Sequence, residues 1–114
     1  MGDHRIRWIS LYLVQNHSKN IAPANYSEIF IAEHLDPKVP VVITLTTCEA
    51  CKASKIWLGE NNISHIELDI QKNERLAKRL LKAVNASAVP VLLTQKGAIV
   101  GFDSAQWKKS IQSN

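Results

Sequence analysis

Apolar positions along the chain repeat with two different periods, and the alternation between them outlines the elements. Residues 6–14, IRWISLYLV, are rich in Ile, Leu, Val and aromatics and predict a strand. The polar stretch QNHSKNIAPAN (15–25), with Pro23, predicts a loop. Ser27 is placed to cap a short helix, EIFIAEHL, with Glu28 in its first turn. Asp36 and Pro37 end that helix, because a residue before proline disfavours the helical region. VPVVITLT (39–46) is a nearly continuous β-branched run, the pattern of a strand covered on both faces. From Cys48 the composition changes to good helix formers, EACKASKIWL, which Gly59, Asn61 and Asn62 bring to an end. In SHIELDI (64–70) His65, Glu67 and Asp69 alternate with Ile66, Leu68 and Ile70, a period of two. NERLAKRLLKAV (73–84) places Leu76, Leu80 and Val84 at helical spacing, joined by Ala77 and Leu81. VPVLLTQKGAIVGF (89–102) holds two short apolar runs around QKG, a hairpin signal. Asp103 or Ser104 then caps a last helix, AQWKKSI.

Helices that alternate with strands predict an α/β fold with right-handed parallel crossovers, and the final hairpin adds an antiparallel edge. A chain of 114 residues suits one domain with one core, and its apolar fraction of 46% is ordinary for a folded protein. Net charge is +4, concentrated around residues 72–82. There Lys72, Arg75, Lys78, Arg79 and Lys82, with Glu74 among them, predict a solvated basic helix face; docking of an acidic partner protein is the alternative. No aromatics interleave with these residues, which argues against nucleic acid. Trp8, Trp57 and Trp107 are expected in packing roles, and His65 on an exposed polar face.

No apolar run reaches the roughly 18 residues that cross a bilayer, so no membrane association is expected. WISLYLV (8–14) follows Arg5 and Arg7 and has the look of a short signal core. It is only seven residues long and no small-residue cleavage site follows closely, so a core strand is preferred. A cytoplasmic protein is expected on this basis, with a periplasmic or membrane-tethered precursor as the alternative.

The chemistry-bearing motif is TLTTCEACKAS (44–54), which holds the only two cysteines, Cys48 and Cys51. Two cysteines are too few for a secreted disulfide scaffold. Their place at the strand-to-helix junction puts Cys48 at or just before the first turn and Cys51 one turn further in. Unpaired N–H groups and the positive end of the helix dipole stabilise a thiolate there, and such pairs ionise at a pKa of roughly 3.5–7.5. Glu49 acts against this, and Lys52 and Lys55 act for it. Cys51 is within reach of Cys48 to resolve a mixed disulfide. A metal site is a second reading, but zinc needs four ligands and His4, His17, His34 and His65 are scattered. A third is a pair of inert buried thiols.

The sequence resembles the thioredoxin-fold superfamily through three features: the CxxC after a buried strand, AVP at 88–90, and GFDS at 101–104. AVP resembles the cis-proline motif that faces the CxxC, and GFDS resembles the Gly-Gly-x-Asp/Ser turn of glutaredoxins. The resemblance implies a thioredoxin-like fold, with a central mixed sheet of four to five strands flanked by helices. It implies a single domain over 1–114, in which 1–38 is a thioredoxin-like strand–helix extension and 39–112 a glutaredoxin-like core. Cys48 would be the nucleophile and Cys51 the resolving thiol. Thr47, Val89, Pro90, Gly101, Phe102, Asp103 and Ser104 would line the substrate or glutathione site.

The sequence also departs from the glutaredoxin pattern. Glu49-Ala50 replaces the usual Pro-Tyr, Leu45 stands where a glutathione-binding lysine is common, Val100 replaces the first glycine of the pair, and Thr47 replaces the tryptophan of thioredoxins. The implied activity is thiol–disulfide exchange by a monomer, acting on a disulfide-containing protein or glutathione mixed disulfide. It requires no metal or organic cofactor, and glutathione is a candidate reductant. An adaptor module, a redox sensor and a protein holding a metal or iron–sulfur cluster at the CxxC are the alternatives.

Overall fold

The computed structural model describes residues 19–21 and 26–112. The strand expected at 6–14, with Trp8 and the signal-like WISLYLV, lies outside the described residues, as do His4 and His17. The elements are β1 (Lys19–Ile21), α1 (Ser27–Ala32), β2 (Val41–Thr44), α2 (Glu49–Glu60), β3 (Ile66–Asp69), α3 (Glu74–Ala83), β4 (Val91–Thr94), β5 (Gly97–Val100) and α4 (Ser104–Gln112). They form a five-stranded mixed sheet in the order β1-β5-β4-β2-β3, the expected thioredoxin-like architecture.

Three local expectations are corrected. Residues 19–21, read as loop, form an edge strand antiparallel to β5, with Asn20 opposite Ile99. The β5 edge offers backbone partners that weigh more than the low strand propensity of a polar stretch. Only one crossover is parallel: β2 and β3 pair in parallel, whereas β4 runs antiparallel to β2. The terminal hairpin is therefore interior to the sheet, with β1 on its outer side. Finally, α1 starts after Tyr26 with no side-chain cap, so Ser27 is its first residue and not its cap.

The period of two sorts the strands onto two faces. Val41, Ile43, Leu68, Val91 and Leu93 pack with Phe30, Ala77, Leu80 and Val84, so α1 and α3 cover this face. Val42, Leu92 and Ile99 pack with Leu58 and Trp107, so α2 and α4 cover the other. Three helices end alike. His34, Asn62 and Asn85 adopt left-handed φ of 58°, 52° and 54°. In each case the next residue donates back five positions, as Ile63 N–H does to Leu58 C=O at 3.0 Å. Gly59 is thus inside α2, and Asn62 makes the stop. The α3–α1 contact is fixed by charge: Arg75 and Arg79 both bond Glu33 at 3.2 Å. This occupies part of the basic face that the sequence presents as solvated.

Candidate functional site

Strand β2 delivers the chain to a three-residue segment, Leu45–Thr47, and then to α2. Cys48 is the N-cap of α2, with extended backbone (φ −91°, ψ 119°), and its sulfur occupies the place a Ser or Asp oxygen takes in other caps. Cys51 N–H donates to Cys48 Sγ at 3.1 Å. The Cys48 thiol in turn lies 3.7 Å from the Val89 carbonyl oxygen. Cys48 is half-buried and Cys51 fully buried, and both are free thiols. The cap geometry separates two cysteines of one motif: the N-cap faces the rim, and the residue three positions on faces the core.

The buried position of Cys51 has an electrostatic consequence. Burial, reinforced by its contact with Cys48, pushes the Cys51 thiol up to about 12; Lys55, one turn on, works against that shift. The other basic and acidic neighbours of the motif are engaged with one another. Glu49 pairs with Lys52 at 3.3 Å, and Lys55 pairs with Glu67 at 3.2 Å. The two lysines expected to offset Glu49 are thereby each paired with a carboxylate.

The other predicted site residues divide into two groups. Val89–Pro90 is a cis peptide bond, and Pro90 C=O accepts from Gly101 N–H at 2.7 Å. Together with the Val91–Val100 pairing of β4 and β5, this brings Gly101 beside the cis-proline and hence to the Cys48 end of the sheet. Gly101 has φ 94°, a conformation that L side chains rarely adopt. Thr47, next to Cys48, is exposed. Phe102 is turned away: its ring packs edge-on to Trp107 at 5.0 Å and tilted against Trp57 at 5.8 Å. Asp103 caps α4, its Oδ1 accepting from Ala105 N–H at 3.0 Å and Gln106 N–H at 3.3 Å. Ser104 is the exposed first residue of that helix. Trp107 is fully buried and donates its indole N–H to Gly101 C=O at 2.9 Å. His65 is half-buried, its Nδ1–H donating to Ile63 C=O at 3.0 Å, and is not simply exposed as expected.

Sequence reading missed two residues at this end. Thr46 Oγ1 donates to Asp69 Oδ2 at 2.9 Å. That hydroxyl is the main reason the Asp69 carboxyl is held below the usual carboxylate range, with Gln71 and Lys72 N–H groups adding to it. The sequence carries only a partial signal, TLT (44–46) and ELD (67–69) with polar residues two apart; the strand register pairs Thr44 with Asp69, and Thr46 reaches Asp69 from beyond the end of β2. Beside them lies a polar cleft of about 360 Å³ lined by Thr46, Lys55, Glu67, Asp69, Lys72 and Asn73. Among the described residues no three His, Cys, Asp or Glu side chains are grouped to hold a metal ion. No described helix is long and apolar enough to cross a membrane.

Comparison with known proteins places this arrangement. A family model for glutaredoxin matches residues 39–98. An uncharacterised glutaredoxin-like 8.6 kDa protein of the rubredoxin operon of Clostridium pasteurianum is 27% identical over 71 residues, covering 62% of this chain and 95% of its own. Among solved structures, a thioredoxin-like protein superposes with a TM-score of 0.56 at 24% identity, covering 61% of this chain and 96% of its own. The glutaredoxin of Archaeoglobus fulgidus superposes with a TM-score of 0.57 at 18% identity, covering 64% of this chain and 85% of its own. At these identities the structures speak for the fold. The family match runs through more than half of the chain, from the lead into β2 to the second residue of β5, and takes in both cysteines and the cis-proline; the chain belongs to the glutaredoxin family.

Proposed function

We propose that the protein is a thiol–disulfide oxidoreductase in which Cys48 is the nucleophile and Cys51 the resolving thiol. The observation that carries the reading is the sulfur of Cys48 held at a helix start, with Cys51 N–H at 3.1 Å and the cis-proline carbonyl of Val89 at 3.7 Å. Cys48, as thiolate, attacks one sulfur of a substrate disulfide. A Cys48–substrate bond forms, the substrate S–S bond breaks, and the departing thiolate takes a proton from water. Cys51 then loses its proton and attacks Cys48 Sγ. The second substrate thiolate leaves and is protonated, and the Cys48–Cys51 disulfide remains. The substrate has gained two electrons and the protein has lost two; a dithiol protein or two glutathione molecules return them.

The substrate is proposed to lie along the backbone at half-buried Val89, between Thr47 and the Gly101 turn, as an extended peptide or as glutathione. Phe102 contributes through the aromatic cluster beneath that turn. Asp103 offers a carboxylate at the site's far end, and Ser104 stands exposed beside it. Leu45 supplies no positive charge for a glutathione carboxylate, so a protein disulfide is the favoured substrate over free glutathione mixed disulfides. A monomer meets this chemistry.

The two thiols predict different kinetics for the two half-reactions. Burial raises the Cys51 thiol above its ordinary value, so the resolving step, which needs the Cys51 thiolate, is expected to speed up as pH rises. The test is single-turnover reduction of a disulfide-bonded peptide. Cys48→Ser is expected to abolish reduction, and Cys51→Ser to accumulate a mixed disulfide on Cys48 visible by mass spectrometry. Full turnover by Cys48→Ser would reject the mechanism.

A further inference from the structure

Strand β3 carries two carboxylates on the face turned toward α2, and each accepts a threonine hydroxyl from the chain that leads to Cys48. Thr44 Oγ1 donates to Glu67 Oε2, and Thr46 Oγ1 donates to Asp69 Oδ2, both at 2.9 Å. The two bonds differ in what else holds the threonine. Thr44 is a fully buried residue of β2, already fixed by its place between β3 and β4. Thr46 is an exposed residue of the connecting segment, two positions before Cys48. The backbone bond in that segment is the turn from Cys48 N–H to Leu45 C=O at 3.0 Å.

Asp69 is a rigid anchor. It is only 7% exposed. Its Oδ1 accepts from Gln71 N–H at 2.8 Å and Lys72 N–H at 3.3 Å, and its carbonyl accepts from Asn73 N–H at 2.7 Å. The carboxylate is thus oriented by the turn into α3 before it meets Thr46. A hydroxyl bonded to a fixed anion is a stronger tether than one bonded to a mobile or neutral group.

We propose that Thr46 and Asp69 are positioning residues for Cys48. The tether pins Leu45–Thr47 to the end of β3, and so keeps Cys48 at the helix start with Cys51 N–H on its sulfur. Without it the segment samples other conformations, and the sulfur spends less time with that donor. The Thr44–Glu67 bond, on a residue the sheet already holds, is redundant for this purpose. The inference rests on the reading of Cys48 as nucleophile.

The test is the rate of Cys48 alkylation by iodoacetamide in the reduced full-length protein, located by mass spectrometry, with each variant assayed well below its own unfolding midpoint. Loss of one hydrogen bond from the reactive geometry predicts a fall of about three- to tenfold in Thr46→Val. Thr46→Ser, which keeps the hydroxyl, restores the wild-type rate within about twofold, and Asp69→Asn, which keeps an acceptor for the turn and a polar group toward Thr46, stays nearer wild type than Thr46→Val does. A wild-type rate in Thr46→Val, or an equal fall in Thr46→Ser, overturns the proposal. Alkylation reads Cys48 without any disulfide substrate. If the variants behave as expected while the wild-type protein reduces no disulfide, the tether stands and the proposed function fails. If Cys48→Ser abolishes turnover while Thr46→Val alkylates normally, the function stands and the tether fails.

Discussion

The face of the sheet under α1 and α3 has the larger buried set, with Val41, Ile43, Leu68, Val91 and Leu93 against Tyr26, Phe30, Ala77 and Leu80. The face under α2 and α4 is smaller in its buried set and aromatic, with Val42, Leu92 and Ile99 against Trp107 and the flanking Trp57 and Phe102. Both faces come from the same strands, one residue out of phase. They differ in what their side chains reach beyond the core. On the first face one residue packed against the set, Val89, reaches the dithiol end, its carbonyl oxygen 3.7 Å from Cys48 Sγ. On the second, Trp107 donates to Gly101 C=O, and Gly101 N–H donates to Pro90 C=O. The second face thus holds the turn beside the cis-proline by a chain of hydrogen bonds from a core side chain, whereas the first touches the dithiol end through packing of Val89 alone.

Trp107→Ala breaks that comparison most directly. Removing a fully buried indole costs about 3–5 kcal/mol and also frees the Gly101 turn. Urea unfolding should show the loss, and disulfide reduction per folded molecule should fall as well. Leu80→Ala on the other face is expected to cost about 2–5 kcal/mol while leaving activity per folded molecule unchanged. Equal activity in both variants would dissolve the distinction between the faces.

A smaller effect separates the faces by pH. The Tyr26 hydroxyl, on the α1/α3 face, donates to Thr94 C=O, and burial holds its ionisation well above the usual value near 10. A folded-state value raised above the unfolded one means that the stabilisation is complete below about pH 10. It is lost as pH rises further, because the unfolded phenol ionises first. Tyr26→Phe should therefore flatten the decline of stability above pH 10, at a cost of about 1 kcal/mol near neutrality from the lost hydrogen bond. The acid limb has the opposite sign. Asp69, held low chiefly by Thr46, and Glu33, held low chiefly by Arg75, contribute stability above about pH 4 that fades as pH falls through their folded values. Asp69→Asn should blunt that acid limb in a urea-midpoint series taken from pH 6 to pH 3.

The smallest effect is at the exposed end of α3. Asn85 follows α3 with a left-handed φ of 54°. Asn85→Gly relieves the Cβ penalty there and is expected to gain about 0.5 kcal/mol, read as a small rise in the unfolding midpoint with unchanged activity.

Much of this was legible in the chain itself. The nearly continuous β-branched run through Val41 to Thr44, the alternation of Ile66 to Asp69, the helical spacing of Ala77, Leu80 and Val84, and the placement of CxxC at a strand-to-helix junction are local properties. Period-two and period-3.6 patterns report which side of an element is covered, and they do so without knowing the partner. The cis-proline motif was also legible by its resemblance, and the Val89–Pro90 bond is cis.

What the pattern could not decide was which elements meet. Strand Lys19–Ile21 lies in a polar stretch and exists because β5 offers it an edge. The antiparallel setting of β4 against β2, Phe102 turning into the aromatic cluster, and Asp69 reaching back to Thr46 all join residues distant in sequence. So does the fate of the two thiols. Their spacing puts Cys48 and Cys51 one turn apart, but the sheet beneath α2 makes one half-exposed and the other buried with a thiol pushed to about 12. Local sequence set the periods and the chemistry of the motif; burial and strand pairing, which depend on contacts across the whole fold, set the roles of its two sulfurs.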